Sequence, residues 1–313
     1  MIWVTWRQHR AEATIVGAAF AVLAALLLII GHDMASQYHQ LGIPACIAHP
    51  EQNASCPDIV GSFRDQFATF IGAITWLNLF PVLLAMLVGA PLVAREFENG
   101  THRLAWTQSI TRMRWLVVKL ALIFGASLTC AGLLSLLLTW FRGPFDILQG
   151  RMRTTGFDLE GTVMVAYMAY AMALAVAAGA VLRRAIPAMV VTLAGYLAVR
   201  LPIDFWARAH YAPPLVTNVF TPSYSHLDWT IGEYWADSAG RHISDNQAFS
   251  TCATPGTLKP DFFKCIQTHG WHETIIYQPA SRFWLFQGIE TAIFVALAVA
   301  LVGFTIWLVR RRA

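Results

Sequence analysis

Charge is what this sequence has least of. Of its 313 residues only 13% are Asp, Glu, Lys or Arg, while 57% are hydrophobic and the mean hydropathy is +0.52. Soluble domains carry about a quarter charged residues, so the composition excludes an ordinary water-soluble enzyme and predicts a polytopic membrane protein. A net charge of +4 and a pI near 8.9 do not make a nucleic-acid binder, because excess Lys and Arg in a membrane protein reports topology. No cleavable signal peptide is expected either. The first apolar run is too long for one and no small-residue cleavage site follows it, so that run is expected to stay as an anchor. The motifs G-x-S-x-G, H-E-x-x-H and G-x-x-x-x-G-K-[ST] are absent, and the dipeptide Gly-Lys does not occur. Without a Walker A sequence the chain has no nucleotide site of that kind. We expect no catalytic residue, no bound cofactor and no metal. Internal repeats and low-complexity tracts are lacking too.

What is present is apolar length. Six segments, roughly 13–31, 67–94, 115–141, 161–182, 185–203 and 283–309, have the ~20 residues that cross a hydrocarbon core. The fourth and fifth are separated only by "LRRA", which forces a tight antiparallel hairpin. The fifth is short and carries Pro187 and Pro202; Pro81 and Pro91 should bend the second or loosen its last turn. With six crossings both termini share one side. That side holds twelve basic residues against three acidic ones, Glu12, Glu96 and Glu98, whereas the longer connections opposite hold ten basic and fourteen acidic. The positive-inside rule then places both termini in the cytoplasm.

The fold expected is an all-α membrane protein in four parts. Residues 1–12, "MIWVTWRQHRAE", set Trp3 and Trp6 beside Arg7 and Arg10 and predict a short helix lying along the inner surface; a plain basic start to the first crossing is the alternative. Residues 13–203 hold five crossings, residues 204–282 an extracytoplasmic cap, and residues 283–313 the last crossing with its basic tail. The cap segment holds thirteen of the chain's aromatic residues, Phe205 to Tyr277, more than a solvated linker needs.

Four of the five cysteines fall in outer connections, two per connection, which reads as the disulfides Cys46–Cys56 and Cys252–Cys265. Cys252, Cys265, His269 and His272 could instead offer zinc two sulfurs and two nitrogens. The twelve residues between the cysteines fit that poorly, since zinc fingers favour two to four. Asn53-Ala-Ser55 matches a glycosylation sequon, a weak pattern on its own. Glu290 lies about two turns into the last crossing, where an unpaired carboxylate would cost roughly 3 kcal/mol or more. It either faces a translocation path, meeting a cationic or hydroxylated substrate, or snorkels to the outer interface or accepts a bond from a neighbouring helix; the second reading is preferred. Arg200 reads as an interfacial anchor.

The most charged short connection, "VAREFENGTHRLAWTQSITRMRWLVVK" over 93–119, joins the second and third crossings. The second helix should run on through "AREFE" and break at Asn99-Gly100. Thr101 caps a short helix over 101–108, and Thr111 caps the next crossing. This elbow projects Glu96, Glu98, Arg103, Arg112, Leu104 and Trp106, far more than a bare turn needs.

The same stretch resembles the segment after the second helix of type-2 ABC transporter permeases. Its Arg-Glu-x-Glu-x-Gly-Thr run matches Arg95, Glu96, Glu98, Gly100 and Thr101, and its Ser/Thr-Arg and Lys match Thr111, Arg112 and Lys119. Six helices, inside termini and a large outer connection before the last helix are similar as well. The resemblance implies a transmembrane subunit of an ATP-driven exporter in the plasma membrane of a bacterium, moving a hydrophobic or amphipathic substrate. In that reading the elbow is a coupling helix docked on a cytoplasmic ABC ATPase, with Glu96 and Glu98 meeting its basic groups. Two permease copies would work with two ATPase copies that hold the ATP and Mg. Three other classes compete. A secondary transporter should show repeated halves and midplane carboxylates. A membrane enzyme would act on lipid or cell-wall precursors through His269, His272 and Glu273. A non-transporting sensor would answer to ligands at the cap.

Overall fold

The computed structural model describes residues 2–49, 53–98, 112–218, 224–253 and 259–312. Six helical spans among them, Thr14–Gln40, Cys56–Leu92, Val117–Gln149, Val163–Leu182, Ala185–His210 and Ala280–Arg311, are long and apolar enough to cross a membrane. Their number and order are those expected; their ends are not. Helix α1 runs unbroken from Ile2 to Gln40, so the helix expected over 1–12 is continuous with the first crossing rather than separate from it. The reason lies in the sequence, which has neither glycine nor proline before Gly17 and so nothing to end a turn.

Helix α1 also runs on to Gln40, into the connection expected at 32–66. After Gly42, which takes the left-handed conformation (φ 66°) that glycine tolerates, α2 spans Ile43–Ala48 and α3 spans Cys56–Ile74. Cys46 of α2 is disulfide-bonded to Cys56 at the start of α3. Met34, Tyr38, Ile43, Phe63 and Phe67 pack there into a buried cluster. A 3₁₀ stretch, Thr75–Leu79, leads into α4 (Phe80–Leu84), and a π turn, Ala85–Gly89, leads into α5 (Ala90–Glu98). Pro81 and Pro91 fall in the first turns of α4 and α5. A missing N–H is harmless there, and the irregular turns fall just before them.

Helix α6 spans Arg112–Gln149 and α7 the short Thr154–Phe157. Helix α8, Val163–Leu182, carries no charge and is apolar on every side, the mark of a helix buried all round. It is the centre of the bundle, with α5 and α6 among its neighbours. Two residues suffice for the hairpin after it: Arg183 is left-handed (φ 54°), Arg184 is extended, and α9 begins at Ala185. Helix α9, Ala185–Pro202, continues past its proline as a π turn, Ile203–Ala207, and a 3₁₀ turn, Arg208–His210. The fifth crossing is therefore longer than expected.

The cap corrects the all-α expectation. Strands β1 (Leu215–Asn218), β2 (Trp229–Ala236), β3 (His242–Ile243) and β4 (His272–Gln278) form an antiparallel sheet in the order β1-β4-β2-β3. Thr230 pairs with Tyr277 and Trp235 with Glu273, across a bulge at Thr230/Gly232. Helices α10 (Asp245–Cys252) and α11 (Lys259–Thr268) pack on it through Trp235, Ala248, Phe262 and Ile266. Cys252 and Cys265 are disulfide-bonded, with Cα atoms 5.6 Å apart. Helix α12, Phe283–Arg312, makes the last crossing against α8. We call the end that bears the sheet the cap face and the opposite end, with both termini, the terminal face.

Candidate functional site

Polar chemistry gathers at the cap face, in the segment 150–162 between α6 and α8. Gly150 is left-handed (φ 80°), and a Cβ there would meet the carbonyl oxygen of Leu227 at 2.1 Å. The segment is thus pinned under the cap. Residues 156–160, "GFDLE", are all buried. Gln287 of α12 holds them from the other side. Its Oε1 accepts from the amides of Thr162 and Val163 at 3.0 Å each, and its Nε2 donates to the Phe157 carbonyl at 2.8 Å. The first turn of α8 is thereby capped by another helix.

Asp158 and Glu160 then reach in two directions. Glu160 accepts from Arg142 Nε at 2.9 Å and Arg151 Nε at 2.8 Å, and Arg142 also meets Asp146 at 3.3 Å. Asp158 meets Arg200 Nη2 at 2.6 Å and Arg208 Nη2 at 2.7 Å. The Arg208 guanidinium is fully buried. It donates through Nε and Nη2 to the two oxygens of Glu290, each at 2.9 Å, and through Nη1 to Asp204 at 2.8 Å. Such two-pronged pairs are the strong ones. Tyr167 donates to Glu290, as does Tyr211 at 3.2 Å. The guanidinium carbons of Arg200 and Arg208 lie 4.2 and 4.3 Å from the rings of Tyr167 and Phe157. Burial, followed by the nearby Glu290 charge, pushes the Tyr211 hydroxyl above the usual phenol range. It stays a donor.

The sequence expectations meet this arrangement unevenly. Glu290 does not snorkel: it is fully buried and accepts bonds from neighbouring helices, as the other half of that reading held. Arg200 is corrected from an interfacial anchor to a buried member of the cluster, 7% exposed, because the fifth crossing continues past it. Asp158, Asp204 and Arg208 were not singled out. The spacing of Arg200, Asp204 and Arg208, four residues apart on one helix face, is the signal that could have found them.

At the terminal face, Arg95, Glu96 and Glu98 lie on α5 and Arg112 opens α6. Glu98 is exposed, and its Oε2 accepts from the backbone N–H of Ala185 at 3.4 Å, at the N-terminus of α9 where a negative charge is favoured. Gly100, Thr101, Arg103, Leu104 and Trp106 lie outside the described residues. So do the break at Asn99-Gly100, the short helix over 101–108 and the Thr111 cap.

In the cap, one ligand atom each of Cys252, Cys265 and His269 lies within 4.8 Å of the others. The disulfide occupies both sulfurs, however, and zinc takes thiolates, so the zinc arrangement is not formed. The residues weighed for enzyme chemistry do not converge. His272 and Glu273 are consecutive on β4 and point to opposite faces. The His269 ring bonds the carbonyl of Cys265 at 3.1 Å. Burial, and then the nearby Glu233 charge, raise the Glu273 carboxyl above its ordinary range.

Six apolar crossings, one of them a buried central helix, closed at one face by an ion cluster and a folded cap, define a multi-pass membrane protein. Its pattern over residues 17–208 matches the ABC-2 membrane transporter related family, and the chain belongs to that family. The match covers the first five crossings and ends at Arg208; the cap and α12, with Glu290, lie beyond it. No curated protein and no solved structure matches the chain. Membership makes this a transporter permease, of a kind that works with an ABC ATPase.

Proposed function

We propose that the chain is the membrane subunit of an ATP-driven exporter, working as two copies with two cytoplasmic ABC ATPases that hold the ATP and Mg. Both termini are cytoplasmic and the cap is extracytoplasmic. The substrate is hydrophobic or amphipathic and passes between the two copies through the plasma membrane of a bacterium. The observation that carries the reading is the family match, which spans the helices on both sides of the charged connection. The connection leaves α5 at Glu98 and returns at Arg112, thirteen residues where a short turn suffices. Those residues form the elbow that the ATPase grips, and nucleotide-driven closure of the ATPases moves the bundle through it. Arg95, Glu96, Glu98, Gly100, Thr101, Arg103, Leu104, Trp106 and Arg112 are its working residues.

Co-expression with the ATPase encoded nearest to it, followed by purification, tests this. The wild-type chain should carry the ATPase through purification, and Glu96→Ala with Glu98→Ala should lose it or uncouple its hydrolysis from transport. Unchanged assembly and transport in that double variant would sink the proposal.

A further inference from the structure

Two charged clusters lie side by side at the cap face, and only one of them balances. In the first, Arg142 and Arg151 meet Asp146 and Glu160, two charges of each sign. In the second, Arg200 and Arg208 meet Asp158, Asp204 and Glu290, two positive groups against three carboxyls. The other titratable groups that face it are hydroxyls: Tyr167 from α8, Tyr196 from α9, and Tyr211 beyond it. His210 is exposed and bonds the Trp206 carbonyl. Among the described residues no third cation reaches the cluster.

Carboxylates crowded into a buried site cannot all ionise, and an uncompensated charge out of water is strongly disfavoured. One of the three therefore carries a proton, and the hydrogen bonds say which. Asp158 has both oxygens on guanidinium groups. Glu290 has both oxygens on Arg208 and takes two tyrosine hydroxyls as well. Asp204 offers only Oδ1 to Arg208, the fewest bonds of the three, and its side chain, 16% exposed, is the one a proton from water can reach. We propose that Asp204 is a proton-binding site, whose occupancy sets how firmly α9, α12 and the segment 150–162 are held together at the cap face.

A second observation shows how the structure responds to that proton. Arg200 Nη1 is buried without a hydrogen-bond partner among the described residues. It stands 3.9 Å from Asp204 Oδ1 and 3.7 Å from Glu290 Oε1. It is the donor free to turn to Asp204 once that carboxyl ionises. Turning there draws the Arg200 guanidinium away from Asp158, the group that fastens the segment 150–162 to α9. Loss of one proton thus loosens the joint, and uptake of one restores it. The inference rests on charge and geometry and stands whether or not an ATPase drives the bundle.

Infrared difference spectra of the purified full chain in lipid nanodiscs read the site directly. Once exposed carboxyls have ionised, the wild type should still show a protonated-carboxyl C=O band that disappears as pH rises further. Asp204→Asn should remove the share of that band that Asp146→Asn and Glu273→Gln leave in place, and the exposed control Asp58→Asn should keep the band whole. Because Asn mimics the protonated carboxyl, Asp204→Asn should also melt no lower than wild type at neutral pH and should lose less stability towards alkaline pH. A wild type with no titrating band, an Asp204→Asn variant that keeps the band in full, or one that fails to fold would each overturn the proposal.

Discussion

Arg208 shows how much can depend on one side chain in an apolar protein. Its guanidinium faces Asp158, Asp204, Tyr167 and Glu290, and it is fully buried. Removing one partner from a buried ion pair leaves the other charge stranded, which costs about 3–5 kcal/mol, whereas removing both partners costs much less. Arg208→Met should therefore lower the melting temperature sharply, and adding Glu290→Gln should recover part of the loss. Additive losses in that double-mutant cycle would show that the two groups do not interact. Glu273 in the cap gives a prediction of opposite sign. Its carboxyl is raised by burial and then by Glu233, which lies diagonally across from it on β2, since Trp235 faces Glu273 and Glu233 faces Ile275. A raised folded-state value means that its contribution is fully present below the ordinary carboxylate range and is lost as pH rises through the folded value. Glu273→Gln should accordingly match wild type in acid and be the more stable at neutral pH, a difference that scanning calorimetry can follow. A variant less stable at neutral pH would refute the repulsion.

Between helices, a close approach of α8 and α5 is made possible by what glycine lacks. A Cβ on Gly179 of α8 would stand 2.7 Å from the backbone carbonyl of Ala90 at the start of α5, and one on Gly89 would stand 2.9 Å from the Ala175 Cβ. Small residues let helix backbones meet in this way inside membranes. Gly179→Val should destabilise by roughly 1–3 kcal/mol through overpacking, and Gly125→Ala, where nothing lies within 4 Å, should not. Equal melting temperatures for the two variants would mean that the contact bears no load. Elements were legible in the sequence where chemistry is coarse. Six crossings follow from the scarcity of charge, the "LRRA" hairpin from its two arginines, and both cysteine pairings from their place in the cap-face connections. The ends of the helices were not legible, because α1 and α9 run on past the apolar run that announces them. The fifth crossing is expected to end near residue 203, yet a π turn and a 3₁₀ turn carry it on to His210, and that extension is what brings Asp204 and Arg208 into the cluster. Nothing in the sequence marks Asp158 and Glu160, since only the tertiary fold supplies the arginines that let "GFDLE" be buried. The sheet was hidden because its strands are short and come from both ends of the 204–281 segment.

At the scale of the molecule, the two polar sites sit at opposite faces and the helix pair α8 and α9 connects them. Glu98 ends α5 and accepts from the amide that opens α9, so the root of the charged connection is tied to the hairpin joining α9 to the central α8. At the far end α8 carries Tyr167, and α9 carries Arg200, on which the cap-face cluster is built. Helices transmit displacement because their backbones are stiff and their packed interfaces hold discrete arrangements. A push on the elbow should thus reach the cluster as movement of α8 and α9 together. The experiment places spin labels at two exposed positions of the cap face, Phe205 beyond α9 and Trp284 on α12, in a Cys130→Ser background, in the complex with the ATPase. Adding nucleotide should change the distance between labels. Glu98→Ala alone should reduce that change while the ATPase still co-purifies, because the variant cuts the root of the elbow and leaves its tip. A full distance change in Glu98→Ala would mean that force enters the bundle by another route, through α5 and the Gly179 seam.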